Sequence, residues 1–352
     1  MKRYGIRTYL TVIFLTAAGL LMGCGTAGSE AVNQIYVGVA CYDLSDVFIS
    51  ELIQCLKEEV GRQRENDDVM VTVRDAAGSQ KTQNDQIKEM IDEGCNILCV
   101  NLADRTDPSE IIECAKEKDI PIIFFNREPV AEDLMRWDKL YYVGAKGRQS
   151  GEMQGELAVE AVTDHPEIDR NQDGVLQYVI LEGEMGHQDA IMRTESVVEY
   201  IRSKGIRLEK LGYEIANWKR GQAQNRMEQL ITKYGDSIEL VLANNDDMAL
   251  GALDTYQKLG YTKSELPAIF GIDGIREGLE AVRDSRMVAT VYNDKEGQAK
   301  AMADIIFATM SGEGLEELDF EDTNHIYIYL PYQKVTAENV DAYLETDTQA
   351  AR

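Results

Sequence analysis

The sequence predicts an α/β protein built from two doubly wound, parallel-sheet lobes, and three observations carry that expectation. Short apolar runs of strand length alternate with amphipathic helical stretches. The alternation runs its course twice along the chain. The roughly 320 residues behind the N-terminal segment also exceed what one hydrophobic core usually organises.

At the start, Lys2, Arg3 and Arg7 precede an apolar run from Tyr9 to Leu21 and the small residues around Gly23 and Cys24. This is the order of a secretory signal. A run of about 13 residues falls short of the ~20 a spanning helix needs. Leu21-Met22-Gly23-Cys24 resembles a bacterial lipobox, which implies removal of residues 1–23, lipidation of Cys24 and attachment to the membrane through that anchor. The small, polar residues after it suit a flexible tether over 24–33.

The first lobe opens with apolar runs at Ile35–Cys41, Val69–Val73, Ile97–Asn101 and Ile120–Phe125, separated by helical stretches near 47–64, 82–92 and 108–118. Tyr141–Gly144 is a candidate crossing between lobes, since no Pro- or Gly-rich linker separates them. The second lobe repeats the pattern with runs at Val175–Leu181, Leu208–Tyr213, Ile238–Leu242, Ala268–Gly271 and Val288–Tyr292.

The net charge is −26 over the whole sequence, and removal of Lys2, Arg3 and Arg7 with the signal moves it to about −29. So acidic a chain argues against nucleic acid as a partner. Behind Cys24 stand Cys41, Cys55, Cys95, Cys99 and Cys114, an odd number without metal-type spacing. Cys95 and Cys99 flank an apolar stretch and read as buried strand residues rather than ligands, and no disulfide framework is expected.

Ligands of open α/β sheets bind outside the carboxyl ends of the strands. The residues there are polar, planar or aromatic almost without exception: Tyr42 to Phe48, then Asn126, His187 to Arg193, Trp218, Asn244 to Asp246, Asp273 and Asn293. Asp, Asn and Arg offer paired donors or acceptors that match sugar hydroxyls, and aromatic rings suit the apolar faces of a sugar. Asp46 is equally read as a helix N-cap. His187 beside Asp189 lacks the carboxylate pair of a glycosidase, so no enzyme is expected.

Several stretches carry a resemblance: Asn84-Asp85-Gln86-Ile87, Phe124-Phe125-Asn126-Arg127-Glu128-Pro129, Tyr141-Tyr142-Val143-Gly144, Gly186-His187-Gln188-Asp189-Ala190, Ala243-Asn244-Asn245-Asp246 and Phe270-Gly271-Ile272-Asp273. In order and spacing they resemble the periplasmic galactose/glucose-binding proteins of the type 1 periplasmic binding protein family. That resemblance implies a three-segment hinge near 142–145, 291–293 and 328–330. The lobes would comprise 34–144 plus 293–329, and 145–292 plus 330–346. It further implies a D-galactose, D-glucose or methyl galactoside site made by Asp46, Phe48, Asn126, His187, Asp189, Arg193, Trp218, Asn245, Asp273 and Asn293. Phe48 and Trp218 would stack on opposite sugar faces. The implied protein is a monomer that delivers its sugar to the permease of an ABC importer; a sugar-sensing accessory subunit of a membrane receptor, or a binder of another monosaccharide, is the alternative. A repressor effector domain would need an N-terminal DNA-binding unit where a signal and tether stand. The residues around Asp46 (Asp43, Leu44, Ser45, Val47) and a lengthened loop at Asp104 to Asp107 depart from the family near the cleft mouth.

A second motif runs from Asp169 to Gln177. Asp169, Asn171, Asp173, the carbonyl of Val175 and Gln177 occupy positions 1, 3, 5, 7 and 9 of a calcium loop, with Gly174 at the turn. Ile180 stands where the bidentate Glu of an EF-hand belongs. In the resembling family a distant glutamate completes the site, and Glu239 matches it, which implies a structural calcium ion.

Overall fold

The computed structural model describes residues 34–63 and 69–350; the lipobox, Cys24 and the tether lie outside them. Two six-stranded sheets form the framework. The first contains β1 (Ile35–Cys41), β2 (Val69–Asp75), β3 (Ile97–Val100), β4 (Ile122–Phe125), β5 (Leu140–Gly144) and β11 (Tyr327–Tyr329), ordered β11-β5-β4-β3-β1-β2 with all pairings parallel. The second contains β6 (Leu176–Glu182), β7 (Leu208–Ile215), β8 (Leu240–Ala243), β9 (Ala268–Phe270), β10 (Ala289–Tyr292) and β12 (Gln333–Thr336), ordered β12-β10-β9-β8-β6-β7. β12 is an antiparallel edge on an otherwise parallel sheet.

The central strands are apolar along their length because helices cover both faces of a doubly wound sheet; β1, β3, β4, β6 and β8 are buried throughout. The helices of the first half are α1 (Val47–Gln63), α2 (Gln80–Asp92), α3 (Ser109–Glu117) and the single turn α4 (Ala131–Leu134). Those of the second are α5 (Gly147–Asp164), α6 (Gln188–Ser203), α7 (Arg220–Tyr234), α8 (Asp246–Lys258) and α9 (Arg276–Arg283), with α10 (Lys295–Ser311) and α11 (Val340–Ala350) following.

Tyr141–Gly144 is not itself a crossing but part of β5, buried between β4 and β11. The chain leaves the first sheet just beyond it. It returns after β10, where α10 packs on α1, and crosses a third time between β11 and β12. Each sheet changes winding direction beside its first strand, between β1 and β3 and between β6 and β8. The loops at the strands' carboxyl ends there supply most of the site. No helix among the described residues is long and apolar enough to cross a membrane. Cys41, Cys95 and Cys99 are buried free thiols, and Cys55 and Cys114 are half-buried and free.

Candidate functional site

Loops from both sheets close on one cavity of about 330 Å³, its mouth included, near the lower end of the ~300–1,000 Å³ typical of small-molecule clefts. After β1 come Tyr42, Asp46, Phe48 and Ile49, and after β4 Asn126 and Arg127. The second sheet contributes His187, Asp189 and Arg193 after β6, Trp218 after β7, Asn245 after β8 and Asp273 after β9. Nine of the ten residues singled out from sequence therefore line one space. Asn293 stands behind it: its Nδ2 donates to Asp273 Oδ1 at 3.4 Å and its Oδ1 accepts from Gln298 at 2.7 Å.

Asp46 fills both roles open to it. Its Oδ1 caps α1 by accepting from the Ile49 N–H at 3.2 Å, and its Oδ2 accepts from the Tyr42 hydroxyl at 2.6 Å. Asn245 caps α8 through Met248 N–H at 3.0 Å, and its Nδ2 holds the Trp218 carbonyl at 3.4 Å. Asn126 Oδ1 accepts from Asn101 Nδ2 at 3.1 Å, which orients its own amide nitrogen as the donor left for a ligand. The Trp218 ring meets His187 edge-on at 5.2 Å between centroids. Asn126, Trp218 and Asp273 have φ of 60°, 63° and 112°. Left-handed backbone at non-glycine residues costs of order 1–3 kcal/mol each and concentrates at functional sites.

Arg193 is buried, with Nη1 donating to the Asn244 carbonyl at 2.7 Å, Nη2 to the Tyr332 hydroxyl at 3.0 Å and Nε to Ser150 at 3.1 Å. Its Nη2 also lies 3.4 Å from Asp273. Burial nevertheless pushes the Asp273 carboxyl up to about 7, with Arg193 opposing and Asp46 adding repulsion. His187 is held well below the usual imidazole range by burial and by the Arg127 and Arg193 guanidiniums. Its Nδ1 accepts from the Asp189 N–H at 3.1 Å, so the neutral ring carries its proton on Nε2. Burial raises Asp189. The cavity thus presents three carboxyls against two guanidiniums already engaged.

Ile49 and Arg127 line the cavity without having been singled out, and Tyr42, at the end of the first strand, lines it without having been assigned a role. Arg127 lies over the Tyr42 ring at 3.6 Å and donates to the Ala103 carbonyl at 3.1 Å. It also reaches across to Glu184, after β6, at 2.7 Å. A second ion pair spans the cleft between Lys219, after β7, and Asp43, after β1, at 2.7 Å. Gly183 is a further hidden determinant, since a Cβ there would stand 2.2 Å from the Trp218 ring.

At the second motif, Asp169 Oδ2 accepts from Gly174 N–H at 2.8 Å, Asn171 Oδ1 from Asp173 N–H at 2.9 Å and Asp173 Oδ1 from Val175 N–H at 2.7 Å. Glu239, just before β8, accepts from Arg170 N–H at 2.7 Å and Gln177 N–H at 3.0 Å. Gln177 Nε2 donates to Asp173 at 3.1 Å. Asp169 Oδ1 is buried with no hydrogen-bond partner among the described residues. Among those residues no three His, Cys, Asp or Glu side chains form a metal-type cluster, so a cation here would depend in part on amide and carbonyl oxygens. Such all-oxygen sets suit hard cations.

Residues 37–314 match the family model described as periplasmic binding protein domain. The chain is 31% identical over 336 residues to the D-galactose/methyl-galactoside binding periplasmic protein of Haemophilus influenzae, covering 95% of this chain and 98% of that one. It is 24% identical over 284 residues to a ribose import binding protein from the same organism, covering 80% and 87%. An ABC transporter solute binding protein from Bacillus halodurans C-125 with bound myo-inositol superposes with a TM-score of 0.73 at 27% identity, over 90% of this chain and 99% of that one. With two wound sheets, a cleft between them and a family match over most of its length, the chain belongs to the periplasmic binding protein domain family and is a solute-binding protein rather than an enzyme.

Proposed function

We propose that the chain binds a neutral hexose, D-galactose or D-glucose, or a methyl galactoside, between its two sheets and delivers it to an ABC importer from the outer side of the membrane. One observation carries the reading: three carboxyls, two engaged guanidiniums and the Phe48 and Trp218 rings surround one small cavity, supplied by both sheets. An anionic ligand would face Asp46, Asp189 and Asp273 with no uncommitted cation. A ring of hydroxyls can instead donate to the carboxyls and accept from His187 Nε2–H and the Asn126 amide, while its C–H faces meet the aromatic rings. Binding would be by closure, the ligand adding contacts to both halves that exist only when they meet.

The second reading is an inositol, favoured by the solved relative with bound myo-inositol; its ring of hydroxyls has the same chemistry. Calorimetric titration with D-galactose, D-glucose, D-ribose and myo-inositol separates the two. The hexose reading requires that galactose or glucose bind at least about tenfold more tightly than inositol, a difference of about 1.4 kcal/mol. The reverse order would establish the second reading.

We further propose that Asp169, Asn171, Asp173, Val175, Gln177 and Glu239 hold a structural calcium ion. The orphaned Asp169 Oδ1 supports this, since an unpaired buried carboxylate oxygen is costly without a cation. Anchoring through Cys24 follows from the lipobox resemblance and is tested by mass spectrometry of the membrane-extracted protein for a diacylglyceryl N-terminus. The alternative role, a sensor's accessory subunit, would use the same site with a different docking partner.

A further inference from the structure

A second, larger opening adjoins the cavity. It encloses about 800 Å³, mouth included, between the 103–105 loop after β3, the start of α2 and the 184–187 loop after β6. Arg127 and His187 line both spaces and form the threshold between them. Three contacts hold Arg127 there, to the Ala103 carbonyl, the Glu184 carboxylate and the Tyr42 ring. Arg105 stands on the far side. Its Nε donates to the Glu128 carbonyl at 2.7 Å, and its terminal nitrogens have no hydrogen-bond partner among the described residues. Asp104 and Glu184 face the same space. Gln80, through Oε1 accepting from the Asp104 N–H at 2.7 Å, ties the loop to α2.

We infer that this annex receives the substituent of a glycoside, so that the protein accepts neutral galactosides or glucosides whose aglycone is a second sugar ring. The inference rests on the hexose reading of the main cavity. The annex is polar, large enough for a ring and shares Arg127 and His187 with the first space. Its two acids, Asp104 and Glu184, balance Arg105 and the committed Arg127, which disfavours a phosphate and favours hydroxyls. Arg105 supplies charge-assisted donors to such hydroxyls.

The test is calorimetry on the mature protein with D-galactose, D-glucose, lactose, melibiose, cellobiose and maltose, which present both linkages of each sugar. At least one disaccharide is expected to bind within about tenfold of its monosaccharide. Arg105→Ala should weaken that disaccharide by about tenfold, the effect of losing one charge-assisted hydrogen bond, while monosaccharide affinity stays within about twofold and reports an intact fold. Met185→Trp, at the exposed rim, should exclude the disaccharide and spare the monosaccharide. Normal monosaccharide binding with every disaccharide weaker by about a hundredfold or more overturns the annex alone. An Arg105→Ala effect equal on both ligand sizes overturns it too. Absence of binding by both monosaccharides sinks the hexose reading and the annex with it.

Discussion

Gly183 determines where the Trp218 ring can lie. The ring occupies the volume a Cβ at 183 would need, and the left-handed backbone of Trp218 turns it into the cleft. Gly183→Ala is therefore expected to displace the ring and to reduce hexose affinity nearly as much as Trp218→Ala, about 2 to 3 kcal/mol of apolar and aromatic contact. Trp137, half-buried against the apolar core of the first sheet and away from the cleft lining, should be silent. Intrinsic fluorescence during sugar titration checks this: Trp137→Phe must keep the sugar-dependent change and Trp218→Phe must lose most of it. Asp273 contributes to the pH dependence, together with the buried carboxyls of Asp189 and Asp246, which burial also raises. Its folded-state pKa is raised, so its contribution to stability is full below the unfolded carboxyl value of about 4 and is lost as pH rises through about 7. Sugar-free protein should lose melting temperature across that window, and Asp273→Asn should flatten the decline. A hydroxyl donated to the ionised carboxylate favours the charged form, so binding near pH 7 should release a proton. Titration heats that do not depend on the buffer's ionisation enthalpy would show Asp273 already charged beside Arg193. At this scale the polar strand ends, from Asp46 to Asp273, were legible because their chemistry is written in single residues. Gly183 and the role of Arg127 were not, because a close approach and a stacked guanidinium depend on partners distant in sequence.

Among the elements, the proposed calcium loop would separate stability from binding. It lies at the start of β6, whereas the cleft lies beyond the carboxyl ends of the strands. Removing calcium with a chelator should lower the melting temperature while changing hexose affinity little; a ligand of the native state alone contributes about 2.7 kcal/mol at a hundredfold excess over its Kd. Scanning calorimetry with chelator and with added calcium decides it, and a melting curve indifferent to both would leave Asp169–Gln177 as a hydrogen-bonded turn. The long strands were readable from their apolar runs, β1 to the residue. β5 passed for a crossing because its four-residue motif stands at the edge of the first alternation and ends in Gly144. β11 and β12, of three and four residues, are too short to show a period, and only β11's pairing to β5 and β12's to β10 give them their place.

Across the whole molecule, the two wound sheets were legible because buried parallel strands must be apolar on both faces, and their repetition along the chain requires two cores. What sequence left open is how the halves meet. The Arg127–Glu184 and Lys219–Asp43 pairs bridge loops of the two sheets, so the structure has the cleft shut. A hexose touching Asp46 and Phe48 on one side and Trp218 and Asp273 on the other would favour that state over an open one by its contacts to both. Small-angle scattering of the mature protein with and without saturating D-galactose or D-glucose measures this directly. The account predicts a smaller radius of gyration with sugar than without; an unchanged radius with the sugar demonstrably bound would contradict it.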